Sequence, residues 1–176
     1  MYAVTGPRPR RRALIAVALA SVTMLGAAGM LWWVSTEGDR RLDRQVTEAL
    51  DRYELAYRHN GVRATPTPPP WNPYDPPSGA PSVEKASVHR DDTTLTVDFI
   101  GGPVGEGPCG MTYGARAVES EHSVLVVVEG HANQAGAACT SEGYPRRATV
   151  RLARPLDGRA VLEAMQGMPV PVTPTE

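Results

Sequence analysis

The sequence predicts an all-β domain, a small antiparallel β-sandwich or barrel-like domain, held at a membrane by one N-terminal helix. Three observations carry that prediction. Leu95, Val97 and Phe99 alternate with Thr94, Thr96 and Asp98, the period-two pattern of a strand with one buried face. The run Val124–Val128 (VLVVV) is apolar at every position, as in a central strand covered on both sides. Ala13–Val34 (ALIAVALASVTMLGAAGMLWWV) contains no charged residue, and as a helix it would reach about 33 Å, enough to cross a hydrocarbon core of about 30 Å.

Taken in order, residues 1–12 form a basic tail. Arg8, Arg10, Arg11 and Arg12 precede the apolar stretch, and no acidic residue occurs before Glu37. Arginine beside a span stays on the cytoplasmic side, so the expected localisation is the cell membrane, single-pass, with the N terminus cytoplasmic and the C-terminal domain extracytoplasmic. Trp32 and Trp33 close the 13–34 span where amphipathic rings settle at headgroups. A cleaved signal peptide is the rival: Gly26-Ala27-Ala28 supplies a small-residue site, but Met30–Val34 continues the apolar run beyond it. A buried soluble helix is the plainer alternative. No cysteine lies near the stretch to take a lipid, and Arg11-Arg12 only loosely matches a twin-arginine signal.

Residues 37–60 read as a juxtamembrane helix. Leu42, Val46, Ala49, Tyr53 and Ala56 make one apolar stripe among charges, Glu48 and Arg52 sit four apart in the favourable order, and Asn60-Gly61 supplies a stop. The stripe covers about two heptads, short for a coiled coil, so the helix is expected to lie against the domain or the headgroups. Residues 62–82 hold eight prolines between Pro66 and Pro81 and read as a polyproline II spacer, able to hold the next domain up to roughly 50 Å from the helix. Trp71 and Tyr74 among PxxP spacings are the weaker hint of a ligand for an aromatic groove.

Residues 83–172 carry the β domain. Ala86–Val88 and the Leu95 strand flank a turn at Arg90–Asp92, and Gly101–Gly110 is a glycine-proline loop. Tyr113, Ala115 and Ala117 alternate before a turn at Glu119–Glu121 and the VLVVV strand. His131–Ala138 reads as loop, Ala148, Val150 and Leu152 as a fifth strand, and Ala160–Met165 as a sixth strand or short helix after a turn at Asp157-Gly158. Phe99 is the only phenylalanine, so the core is mostly Val, Leu and Ala.

Beyond the span, 14 of the 18 Lys+Arg face all 19 Asp+Glu, a net of −5; a mildly acidic exterior gives no reason to expect nucleic acid as partner. Cys109 and Cys139 are the two cysteines. On the exported side an even pair is most simply a disulfide, which would close a loop of about 31 residues and contribute roughly 3–4 kcal/mol. A metal pair and two free thiols are the alternatives.

Candidate chemistry rests on His89, His122 and His131 with Glu119 and Glu121. No GxSxG, HExxH, GxxxxGK[ST] or GxGxxG occurs, and Gly101–Gly110 has no following lysine, so no cofactor is expected. Glu121-His122 is an acid/base pair by position but sits in a tight turn where charge is ordinary. His122 and His131 flank a strand of roughly eight residues, about 25 Å end to end, too far apart to share a metal unaided.

One resemblance accompanies this reading. DDTTLTVDFIGG, Cys109, ARAVESEHSVLVVVE, Cys139 with Gly143-Tyr144-Pro145-Arg146 after it, ATVRLARPLDGRAVLEAMQG and PVPV follow one another in order. Together, over about residues 88–172, they resemble an uncharacterised family of small exported domains, lipoprotein or membrane-anchored, from GC-rich Gram-positive bacteria. The resemblance implies a Cys109–Cys139 bond and an all-β fold, and no activity. The chain departs from it in using a helix in place of a lipid and PLDGR where PLGxR is usual. The expected function is a non-catalytic binding module of the cell envelope, with a partner protein or a wall component as ligand and no catalytic residue. The rivals are a hydrolase or metal-dependent enzyme using the histidines, and an accessory subunit of a membrane complex. A weak homodimer through the span and residues 42–56 is a further partner the pattern allows.

Overall fold

The computed structural model describes residues 40–70, 72 and 80–175. The expected tail, the 13–34 span and residues 71 and 73–79 of the proline-rich stretch lie outside the described residues. Helix α1 covers residues 40–60 and ends at Gly61, whose φ of +63° suits a residue without a side chain; a 3-10 turn, Gly61–Arg63, follows. Seven strands come next: β1 Val83–Val88, β2 Thr94–Gly101, β3 Met111–Glu119, β4 Ser123–Ala132, β5 Tyr144–Arg151, β6 Ala160–Glu163 and β7 Val172–Pro174.

They form two sheets, β5-β2-β1-β7 and β3-β4-β6. The described residues are thus mostly β, with two sheets and one helix. The pairing is not purely antiparallel. β1–β2, β2–β5 and β3–β4 are antiparallel, but β7 runs parallel to β1 and β6 parallel to β4. The reason lies in the connections. After β3–β4 the chain crosses to the other sheet as β5 and returns as β6, so β6 meets β4 from the same direction rather than through a hairpin.

Strand β4 is the hinge of the packing. Ser123–Val128 are all fully buried, and their side chains divide by parity. Val124, Val126 and Val128 point between the sheets and meet Leu95, Val97, Phe99, Ala148, Val150 and Val161. Leu125 and Val127 point the other way and meet Val46, Ala49 and Tyr53 of α1, with Leu162 and Ala164. The apolar stripe of α1, joined by Leu50, therefore packs on the outer face of the three-stranded sheet, and a homodimer through residues 42–56 would have to unseat it. Tertiary cover explains how a strand with no polar side persists in the middle of the three-stranded sheet.

This packing corrects the spacer expectation. Leu42–Glu176 is one compact unit, and Ala64 and Pro66 are buried against it. The proline-rich segment leaves α1 and returns to β1 on the same body, so it does not hold the domain away from the helix.

The turns are closed by local polar groups. Asp91 accepts from the hydroxyl and amide of Thr94 and the amide of Thr93, and these donors, the Thr94 hydroxyl foremost, pull its carboxyl down to about 2. Buried Glu163 accepts from the amides of Met165, Gln166 and Met168 and from Ser82 Oγ, shaping a turn whose Gly167 lies against Ala49. A Cβ at Gly167 would stand 2.6 Å from that of Ala49, so both residues must be small. Several boundaries differ from the sequence reading: Leu152 falls just beyond β5 and β6 ends at Glu163. The β3–β4 turn is Ser120–His122, and β4 runs on to Ala132, taking His131 into the strand.

Cys109 and Cys139 are disulfide-bonded, with Cα atoms 5.6 Å apart. The bond joins the loop after β2 to the loop after β4, and Asn133 adds to it by donating from its side chain to Gly105 O and Gly107 O.

Two outcomes are expected in urea titrations. Tyr53→Ala should cost roughly 3–5 kcal/mol, the range for emptying a buried aromatic site, whereas Leu55→Ala, on the exposed side of α1, should cost under about 0.5 kcal/mol. Equal, small losses would refute the packing of α1. Cys109→Ser, Cys139→Ser and the double variant should lose the same roughly 3–4 kcal/mol, because each removes one bond closing a loop with a sequence separation of 30; non-identical losses would point to separate roles for the two thiols.

Candidate functional site

The outer face of the four-stranded sheet is the one broad face of the domain with no element packed over it among the described residues. The alternation that buries Leu95, Val97, Phe99, Ala148 and Val150 necessarily turns Thr96, Asp98, Arg147 and Thr149 outward. Cross-strand register then sorts them into two rungs. Lys85, Asp98 and Arg147 stand opposite one another, as do Thr173, Ser87, Thr96 and Thr149.

The first rung is ionic. Arg147 Nε donates to Asp98 Oδ1 at 2.7 Å and Lys85 Nζ lies 3.3 Å from Asp98 Oδ2. The Arg147 guanidinium, aided by Lys85, holds the Asp98 carboxyl below its ordinary range despite partial burial. Lys85 and Arg147 remain 61% and 76% exposed, so two cations share one carboxylate and keep donors free for a ligand. The second rung is hydroxylic. Thr96 Oγ1 lies 3.3 Å from Thr149 Oγ1 and 3.0 Å from His89 Nε2. Lys85, Asp98, Arg147, Ser87, Thr96 and His89, with Thr173–Thr175, line an open cleft of about 470 Å³.

The histidines do not converge. His89 belongs to that cleft, His122 to the β3–β4 turn, and exposed His131 to the far end of β4, opposite Thr112. Among the described residues no group of three or more His, Cys, Asp or Glu is arranged to hold a metal ion. His122 does have a carboxylate partner, but the close one is Glu54 of α1. His122 Nδ1 lies 2.8 Å from Glu54 Oε2, whereas Nε2 is 3.9 Å from Glu121 Oε1. Ser120 Oγ donates to Glu54 Oε1 at 2.7 Å, the His122 amide donates to the same oxygen, and the Tyr57 ring stacks on the imidazole at 3.9 Å. Glu119 is likewise engaged: it accepts from the Ala153 amide and pairs at 2.9 Å with Arg159, which also donates to Leu156 O, Arg154 O and Pro155 O. An oriented imidazole resembles half of a catalytic constellation, yet these groups fasten α1 and the 152–159 loop to the β3–β4 turn.

No family model, curated protein or solved structure matches the chain. The geometry of this chain alone must therefore carry the functional reading.

Sequence inspection singled out His122 and Glu121 but not Glu54, which lies 68 residues away and, read along the sequence, is one acid among several on a charged helix face. The cleft was missed for a different reason. Thr96 and Asp98 read as the solvated side of a strand, and only register shows which residues of other strands stand beside them.

Burial pushes the Glu54 carboxyl up, but the hydrogen bonds from Ser120 and His122 outweigh it, leaving it below its ordinary 4.5. A folded pKa below the unfolded one means that the fastening is fully present above about pH 4.5 and is lost as pH falls through the folded value. Glu54→Gln should therefore lower Tm at neutral pH and flatten its decline between about pH 6 and pH 3. An unchanged decline would show that Glu54 contributes nothing to acid sensitivity.

Proposed function

We propose that the chain is a membrane-anchored, extracytoplasmic binding module of the cell envelope, and that the two-rung face of the four-stranded sheet takes an acidic, hydroxyl-rich wall component. The single observation that carries the reading is the contrast between the sheets: α1 closes the outer face of one, and the other offers exposed Lys85 and Arg147 beside a row of hydroxyls. Cations with unused donors suit carboxylate or phosphate, and side-chain hydroxyls suit the hydroxyls of a sugar or polyol.

The anchor is the uncharged 13–34 segment, entered from a cytoplasmic tail bearing four arginines. The Cys109–Cys139 bond supports an oxidising, exported setting for the domain.

Binding is tested by mixing the full-length protein in detergent with purified wall sacculi and sedimenting them. Wild type should co-sediment, and the Lys85→Ala/Arg147→Ala double variant should bind about tenfold more weakly, the scale expected for losing two exposed ionic contacts. Arg58→Ala, on exposed α1, should bind as wild type. Absence of sedimentation, or equal sedimentation by the double variant, would overturn the assignment. A reporter active only in the cytoplasm and fused after Glu176 should be silent; activity would reverse the proposed orientation.

A further inference from the structure

We infer that the ligand of the two-rung face is an amphiphile, in which a phosphate or carboxylate joins a hydrocarbon chain to a hydroxyl-rich headgroup. The inference rests on the proposed use of that face and deepens it by naming the class of ligand. It starts from strand parity. Thr94, Thr96, Asp98 and Ile100 lie on the side of β2 away from buried Leu95, Val97 and Phe99. Ile100 therefore stands on the same outer face as the ionic and hydroxylic rungs, and the register sets it opposite Pro145.

These two residues make a further rung, and it is apolar. Ile100 is 46% exposed, and Pro145 is exposed beside it. Five large apolar side chains are exposed among the described residues, and Ile100 is the one that strand alternation carries to this face. The loop after Cys139 braces it: a Cβ at Gly143 would stand 2.5 Å from Ile100 Cγ2, so the side chain is wedged against backbone.

The order of the rungs selects the ligand. Along the strands the face runs from the apolar Ile100–Pro145 rung, through the ionic rung at Asp98, to the hydroxylic rung at Thr96. Neighbouring rungs are two residues apart, about 7 Å. A phosphodiester linking a hydrocarbon chain to a sugar or polyol carries the same three chemistries in the same order. A free polyol polymer repeats acid and hydroxyl with no apolar part, and would leave Ile100 in water. The charge also fits. Two cations surround one carboxylate, and Asp98 engages Arg147 through Nε, leaving the terminal guanidinium nitrogens to a single anion. Beyond the hydroxylic rung Arg151 stands opposite Thr94, about 13 Å from the ionic rung, where a headgroup with a second acid would reach it.

The test measures binding by equilibrium dialysis to the full chain held in amphipol, with uptake by empty amphipol subtracted. The probes are dihexanoyl phosphatidylinositol, kept below its micelle-forming concentration, and glycerophosphoinositol, the same headgroup without acyl chains. At roughly fourfold in affinity per methylene removed from water, contact with a few methylenes should make the acylated probe at least about tenfold the tighter. Ile100→Ser, at an exposed position, should abolish that advantage and leave the deacylated probe unchanged, whereas Arg147→Ala should weaken both. Equal affinity for the two probes, or an equal loss of both in Ile100→Ser, would overturn the inference. So would binding of dihexanoyl phosphatidylcholine as tight as that of the inositol lipid, which would reduce the face to an unselective apolar contact. Sacculi separate the two levels. Wild type that sediments with sacculi yet gains nothing from acyl chains sinks only the amphiphile, and a chain that binds neither sacculi nor either probe sinks the binding face itself.

Discussion

Strand β4 can exist as built only because both of its faces are covered. An alternating strand needs one apolar neighbour, the opposing sheet, and leaves its other side to water. Ser123–Val128 has no side fit for water, so the three-stranded sheet requires a second apolar layer, and the stripe of α1 supplies it. Much else follows from that demand. Tyr53 is the largest side chain buried there, Ala49 must stay small to admit Gly167, and Glu163 is buried with four donors because it shapes the turn that brings Gly167 there. The polar cluster around Glu54 and His122 fastens the end of the same helix.

The strands were legible in the sequence where hydrophobic period and turn residues agreed. Leu95–Phe99, Ala148–Val150 and VLVVV fall on β2, β5 and β4, and Asn60-Gly61 ends α1. The stripe on α1 was also legible, but what it covers was not: an amphipathic helix announces that it has an apolar partner without naming it. The double burial of VLVVV was the complementary signal, and reading the two together would have joined helix to sheet. The parallel pairings of β6 and β7 leave no local trace, because direction is decided by how the chain crosses between sheets. The two-rung face is invisible for the same reason; Lys85, Asp98 and Arg147 become neighbours through register alone.

The packing of α1 on the domain changes the mechanical picture of the molecule. A helix and a polyproline spacer in series would present a small domain far from its anchor. A helix that packs on the domain makes the proline-rich segment a connection between two points of one body. Glu54, Glu119 and Asp98, each held below the ordinary carboxylate range by its partners, also make the fold more secure at neutral pH than in acid.

The seam between α1 and the strand-borne turn at 164–168 sets an order of events during synthesis. Gln45 donates to Ala164 O and Met165 O, 119 and 120 residues away, so the helix and its partner lie near opposite ends of the domain in sequence. At about 5–20 residues per second, translation separates them by roughly 6–24 s. Until β4 is made Val46, Ala49 and Tyr53 have no sheet to cover, and the seam with the 164–168 turn cannot close until the last strands arrive. A nascent chain of this design emerges sticky side first and must be shielded until its C-terminal third is made.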